Sequence, residues 1–244
     1  MKKLILLIFC IVLIGSCGKK EDSASKRSSS DSTEKKADNP PPTTKTPEEG
    51  TTKVKSTDGI EKHKFDKNNL PSAIKFKGKI VEGASWTDKN GDNILIITQT
   101  DVRNINADER EQYLYAYHYI NYDDGYSQLW NITDFVKSYC DVDAKYYPNT
   151  LEIEDVDGDG IAESLFCYEL DGRCDVSPLD VKLIMHKGDT KLVIRGTIGF
   201  DPYDGHKTRG EKNFDDAFKK VSSSLKDYAS EKWDEFVSSY KSGE

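Results

Sequence analysis

Histidine is scarce in this sequence. There are four in 244 residues: His63, His118, His186 and His206. None belongs to a His-Glu-x-x-His pair, and the chain has no Gly-x-Ser-x-Gly turn and no phosphate-binding glycine loop. The usual signatures of zinc hydrolases, serine hydrolases and P-loop enzymes are therefore missing. Positive charge is short as well: 35 Lys and Arg against 43 Asp and Glu give a net charge of −8. No basic stripe offsets that total, which argues against nucleic acid as a partner. Large apolar residues are nearly absent from residues 18 to about 70, where Lys, Ser, Thr, Asp and Glu alternate around Pro40-Pro41-Pro42. Such a segment buries too little to offset the entropy of ordering it. A disordered tether over 17–70 is expected, with a reach of roughly 40 Å for ~50 residues.

Long apolar runs are limited to one, residues 4–14, flanked by Lys2 and Lys3. It is too short to span a bilayer but fits the apolar region of a secretory signal over 1–16. Ile14-Gly15-Ser16-Cys17 follows and resembles a bacterial lipobox. The expectation is a lipidated Cys17 as mature N-terminus, with the membrane as partner; each buried methylene of its acyl chains contributes about 0.8 kcal/mol. Lys20-Glu21-Asp22 resembles the surface-export signal of Bacteroidetes lipoproteins, although a charged, solvated tether reads the same way. Asp22-Ser23-Ala24 and Asp31-Ser32-Thr33 are similar to the Bacteroidetes O-glycosylation sequon. Of the five cysteines, Cys10 leaves with the signal and Cys17 is modified. Cys140, Cys167 and Cys174 remain. Cys140 and Cys174 end polar loops whereas Cys167 sits in a strand pattern, so Cys140–Cys174 is the favoured disulfide.

From residue 71 the pattern turns to period two and short apolar runs, long enough for one core. Strands are expected over 77–86 and 93–98 about the turn Asp88-Lys89-Asn90-Gly91-Asp92, then over 113–120 and 126–132. Thr133 or Asp134 is placed to cap a short helix to about 139, and 104–110 reads as loop. Further strands fall at 151–154, 163–170, 180–186 and 191–198, the last two about Lys187-Gly188-Asp189-Thr190. At the end Phe214, Phe218, Val221, Leu225, Tyr228, Trp233, Phe236, Val237 and Tyr240 recur at three and four, predicting an amphipathic helix over 211–239 that packs on the sheet. The fold class is mainly β (α+β): an antiparallel meander of about eight strands across 71–210, closed by a helix within 211–244.

Residues 155–163, Asp-Val-Asp-Gly-Asp-Gly-Ile-Ala-Glu, set carboxylates at places one, three, five and nine and glycine at six. That is calcium-loop spacing, with Asp155, Asp157, Asp159, the Ile161 carbonyl and Glu163 as ligands. Two carboxylates ~5 Å apart repel by about 3 kcal/mol at an effective dielectric near 20, so either a cation joins them or the loop splays into water as a solvated acidic turn. The twelfth place is Phe166, not Glu, which departs from an EF-hand. Asp88, Asn90 and Asp92 repeat the first three places, but Asn93 and Ile96 stand at the sixth and ninth, and a hairpin turn is the better account. Tyr113, Tyr115, Tyr117 and Tyr119 share one strand face, either a platform for sugar rings or packed strand formers. His118 on the opposite face reads as a core residue, His186 as part of a turn and His63 as part of the tether.

Gly83-Ala84-Ser85-Trp86-Thr87-Asp88, the 155–163 loop, Asp175-Val176-Ser177-Pro178 and Leu183-Ile184-Met185-His186 together resemble a family of flavobacterial lipoproteins associated with surface polysaccharide biosynthesis. The resemblance covers most of the chain after the tether. It implies a role in surface glycan and brings no catalytic motif with it. Expected from all of this is an outer-membrane, surface-exposed lipoprotein with a calcium-stabilised β domain, acting as an accessory or binding module. A glycan-processing enzyme and a protein-interaction module are the alternatives.

Overall fold

The computed structural model describes residues 59–122, 125–199 and 210–242. The expected signal, Cys17, the export-like charges and the glycosylation-like triplets lie outside them.

Alternating apolar residues build two six-stranded antiparallel sheets. The first holds β1 (Glu61–His63), β2 (Lys79–Asp88), β3 (Gly91–Gln99), β4 (Arg103–Asn104), β5 (Arg110–Asn121) and β6 (Tyr126–Ser138). The second holds β7 (Asp143–Tyr146), β8 (Glu152–Glu154), β9 (Glu163–Asp171), β10 (Leu179–Lys187), β11 (Thr190–Ile198) and β12 (Lys212–Phe214). A 3-10 turn, Asp216–Lys220, leads into α1, Ser223–Ser242. The molecule is mainly β with one C-terminal helix, as its periodicity requires.

The period of two divides each sheet's side chains between two layers. Leu95, Ile97, Leu114, Ala116 and Ile132 of the first sheet meet Phe166, Tyr168, Ile184 and Val193 of the second. On the outer face of the second sheet, Leu183, Met185, Leu192 and Ile194 receive Leu225, Ala229, Trp233 and Phe236 of α1. Burying each such side chain contributes about 1.5–3 kcal/mol, so the helix stripe is held by the sheet beneath it.

Several expectations are corrected. The ordered domain starts before residue 71: Ile60 is buried in the core between the sheets, and β1 pairs with β2 through Lys62 opposite Trp86. His63 is thus a strand residue, with Nε2 2.8 Å from Thr87 Oγ1, and not part of a tether. No helix follows Thr133: β6 runs on to Ser138 because β5 offers an unbroken ladder as far as Arg110 opposite Ser138. Local capping signals lose to that pairing. Phe214 pairs with Ile194 in β12, so α1 begins at Ser223 and not at 211. His186 is buried inside β10, opposite Ser164 and Lys191. Cys140 is bonded to Cys174, with Cα atoms 5.4 Å apart, and Cys167 is a free, buried cysteine.

Candidate metal centre

The 155–163 loop joins β8 to β9, two antiparallel neighbours in which Glu154 lies opposite Glu163. The crossing is closed by the loop's own acids. Asp155 accepts the backbone N–H of Asp159 on Oδ1 (3.0 Å) and that of Gly160 on Oδ2 (2.9 Å). Asp159 Oδ1 accepts the N–H of Ile161 at 2.9 Å, and Glu163 Oε2 accepts that of Val156 at 2.8 Å. These bonds satisfy donors that a tight turn leaves unpaired and aim the side chains inward. The turn is also docked on the first sheet. Lys89 N–H donates to the Gly160 carbonyl at 2.9 Å, Lys89 Nζ to the Asp159 carbonyl at 3.3 Å, and Ala162 N–H to Asp88 Oδ2 at 3.2 Å.

Asp155, Asp157 and Asp159 each present one carboxylate oxygen within 4.8 Å of the others, an arrangement of hard oxygen donors that fits a metal ion. Asp157 Oδ1 is enclosed and has no hydrogen-bond partner. Ile161 lies in the same turn. Glu163 stands outside the three-residue cluster and joins it through a lysine. Lys187, at the end of β10, places Nζ against Asp157, 2.7 Å from Asp159 Oδ2 and 3.5 Å from Glu163 Oε1.

The charges respond to this packing. Burial pushes the Glu163 carboxyl up to about 7, helped by the charge of Asp157, while the Val156 N–H and Lys187 pull the other way. Lys187 holds Asp159 below the usual carboxylate range, with the Ile161 N–H assisting. Burial opposes the Lys187 ammonium, but its bonds to Asp157 and Asp159 and the charge of Glu163 raise it overall.

The tyrosine row does not form an open platform. Tyr115, Tyr117 and Tyr119 are buried with Ile74, Ile94 and Ile96. The chain before β2 lies across them: Lys75 N–H donates to Tyr119 Oη at 3.1 Å, that hydroxyl donates to the Lys75 carbonyl at 2.6 Å, and Lys77 N–H donates to Tyr117 Oη at 3.2 Å. Only Tyr113, stacked on the half-exposed Phe135 with centroids 5.3 Å apart, remains partly open. The reason is energetic: a row of rings beside Ile94 and Ile96 is more stable under a covering segment of chain than exposed to water.

Two features escaped sequence reading. One is Lys187, which the turn Lys187-Gly188 made visible only as a loop residue. The other is a row of Trp86, His118, Trp130 and His186 between the sheets, with successive centroids 5.1, 5.3 and 3.8 Å apart, of which only Trp130 and His186 stack face to face. A buried histidine between tryptophans has no local signature.

Protein-family models, curated proteins and solved structures were all compared with this chain, and none matches it.

Proposed function

We propose that the 155–163 loop binds calcium, and that the domain it braces is a lipid-anchored accessory or binding module for surface polysaccharide. The convergence of Asp155, Asp157 and Asp159 oxygens within 4.8 Å carries the metal. Asp155, Asp157, Asp159, the Ile161 carbonyl and Glu163 would hold the ion, which would neutralise the acids and clamp β8 to β9. Calcium is preferred to zinc because every donor is oxygen, and to magnesium because several carboxylates and a carbonyl around one point suit the higher coordination number of the larger ion. What supports the location is the run 4–14 followed by Ile14-Gly15-Ser16-Cys17. What supports the process is the set of stretches that resemble the flavobacterial lipoproteins.

A binding role is favoured over catalysis by the state of two acids, Glu152 and Glu154, in the groove between β1–β2 and β8. This groove of about 520 Å³ is lined by Phe65, Tyr146, Glu82, Glu152 and Glu154 among others. Glu152 is engaged by Lys232 at 2.9 Å and Tyr228 Oη at 2.7 Å, and Glu154 by Lys62 at 2.5 Å. Acids held this way are poor proton donors to a substrate.

Melting the full chain in detergent, with chelator and with calcium, tests the metal. Calcium at about a hundredfold over its Kd contributes about 2.7 kcal/mol, which raises the midpoint by ~5–10 °C in a domain of this size. Asp157→Asn should abolish most of that rise. An unchanged midpoint in the parent chain removes calcium from the account. Protease shaving of whole cells tests the placement, and a protected domain would put it on the periplasmic side.

A further inference from the structure

The lysine among the loop carboxylates has a consequence beyond stability. Lys187 is the last residue of β10, 24 to 30 residues from its acceptors in sequence. Its ammonium touches Asp157, Asp159 and Glu163, and its side chain is 28% exposed. All three acids are among the proposed calcium ligands, and two of them belong to the converging aspartate cluster. An ammonium and a calcium ion compete for these carboxylates: they would stand at contact distance from each other around the same acids, and two cations that close repel. The other lysine at the loop, Lys89, is different. It approaches the Asp159 carbonyl and leaves the carboxylates free.

We propose that Lys187 is an internal counter-cation that occupies the loop when calcium is absent and is expelled when calcium binds. The proposal rests on the calcium reading above and adds its regulation. In the metal-free chain the ammonium neutralises part of the acid cluster, so the loop keeps its shape and the domain stays folded. Binding then requires the Lys187 side chain to swing into solvent, and its partial exposure provides the path. The cost falls on affinity. If the ammonium fills the site nine-tenths of the time or more, apparent affinity drops about tenfold or more. Coupling of this kind is reciprocal: whatever holds the Lys187 ammonium in place weakens calcium, and calcium displaces the ammonium.

Calorimetric titration of the full chain in detergent with calcium chloride, at fixed ionic strength, compares the parent with Lys187→Met. The variant is expected to bind about tenfold tighter, and to melt lower than the parent in chelator. Lys187→Arg, which keeps the charge, should bind like the parent or more weakly. Equal or weaker binding by Lys187→Met overturns the proposal and leaves the calcium site standing. Absence of binding in both chains removes the calcium reading and this proposal together. A second measurement does not depend on the variant's folding. The NMR signal of the Lys187 side-chain ammonium in the parent should shift when calcium saturates the site, and an unmoved signal at saturation overturns the proposal.

Discussion

Two acidic turns of the same opening spacing touch each other in this molecule and behave differently. Asp88, Asn90 and Asp92 stand one, three and five like Asp155, Asp157 and Asp159. In the first turn every acid is used by the protein. Asp88 accepts Asn90 N–H at 2.8 Å, Trp86 Nε1–H at 3.0 Å and the Ala162 N–H of the other turn, and Asp92 accepts Thr87 Oγ1–H at 2.7 Å. In the second, the three acids converge, Asp157 Oδ1 is left unpartnered, and a lysine from a distant strand fills the gap. Spacing alone is therefore a weak sign of a metal. What separates the turns is whether neighbouring donors consume the oxygens. In the hairpin the strands run directly into the turn and bring Trp86 and Thr87 with them. In the loop, backbone N–H groups occupy Asp155 and one oxygen of Asp159, and Asp157 Oδ1 is left without a donor.

The sharpest break in this comparison is at the glycines. Gly91 has φ 125° and closes the β2–β3 turn. A β-carbon there would meet the backbone carbonyl oxygen of Asn121 well inside van der Waals contact. Backbone cannot step aside without opening the β3–β5 ladder where Asp92 pairs with Asn121. Gly91→Ala is expected to destabilise the domain by about 4 kcal/mol, from strain plus overpacking. Urea unfolding in chelator checks it, and a loss below about 1 kcal/mol would mean that the hairpin yields as easily as the loop.

Much of the hairpin was legible in the chain, because Asp88-Lys89-Asn90-Gly91 has turn chemistry and Ile94 to Ile97 have strand chemistry. The Cys140–Cys174 bond was legible for a related reason: both residues end polar segments, while Cys167 sits where apolar neighbours repeat. What was not legible is pairing across the fold. Ile60 and His63 stand in a stretch too polar to announce a strand, and β1 exists because β2 supplies the ladder. Thr133-Asp134-Phe135 has the local marks of a helix start, yet twelve residues of β5 override them. The candidate site divides the same way. Its acids are written in one run of nine residues, but its lysine lies two strands further on, and no periodicity links them.

Acid provides a second, smaller break, from beneath the Asp88 turn. His118 lies under Trp86 with its ring centroid 5.1 Å away, and its Nε2 is 2.9 Å from Asn93 Oδ1. Burial pushes it down to about 4, against the opposing pull of Asp88. His186, stacked on Trp130 at 3.8 Å, is pushed down to about 3 by burial, then by His118 and Lys191. Both are neutral in the folded protein at pH 7. A folded value below the unfolded one, about 6.5, means that the unfolded chain binds the proton first. The stability tied to His118 is therefore whole above pH 6.5 and is lost as pH falls towards 4, about 3 kcal/mol in all. Glu169, 6% exposed and raised to about 7 chiefly by burial, works in the opposite direction between about 7 and 4.5. Glu163, raised to about 7, works in the same direction as Glu169, and His186 in the same direction as His118, so the raw pH curve mixes them and a variant is needed to separate His118. His118→Gln should lose less stability than the parent on going from pH 7 to pH 4, by roughly 3 kcal/mol in urea unfolding. Parallel curves would show that this histidine is not held neutral.

The smallest effect sharpens the contrast with Gly91. Gly158 also has positive φ, 74°, but a β-carbon there meets nothing within 4 Å. It lies in the left-handed region that asparagine and aspartate visit, and the turn around it projects into solvent. Gly158→Ala therefore carries only the conformational penalty of that region, about 1 kcal/mol, in chelator. The loop's shape is set by Asp155 accepting from Asp159 and Gly160, bonds that a methyl at 158 does not touch. Calcium affinity should accordingly change by less than about threefold, a difference of roughly 0.6 kcal/mol. A large loss of affinity with little loss of chelator stability would mean that the ion-bound turn is tighter than the ion-free one. Gly158 would then serve the metal in the way that Gly91 serves the sheet, and the two turns would differ in what their glycine closes upon rather than in whether it is needed.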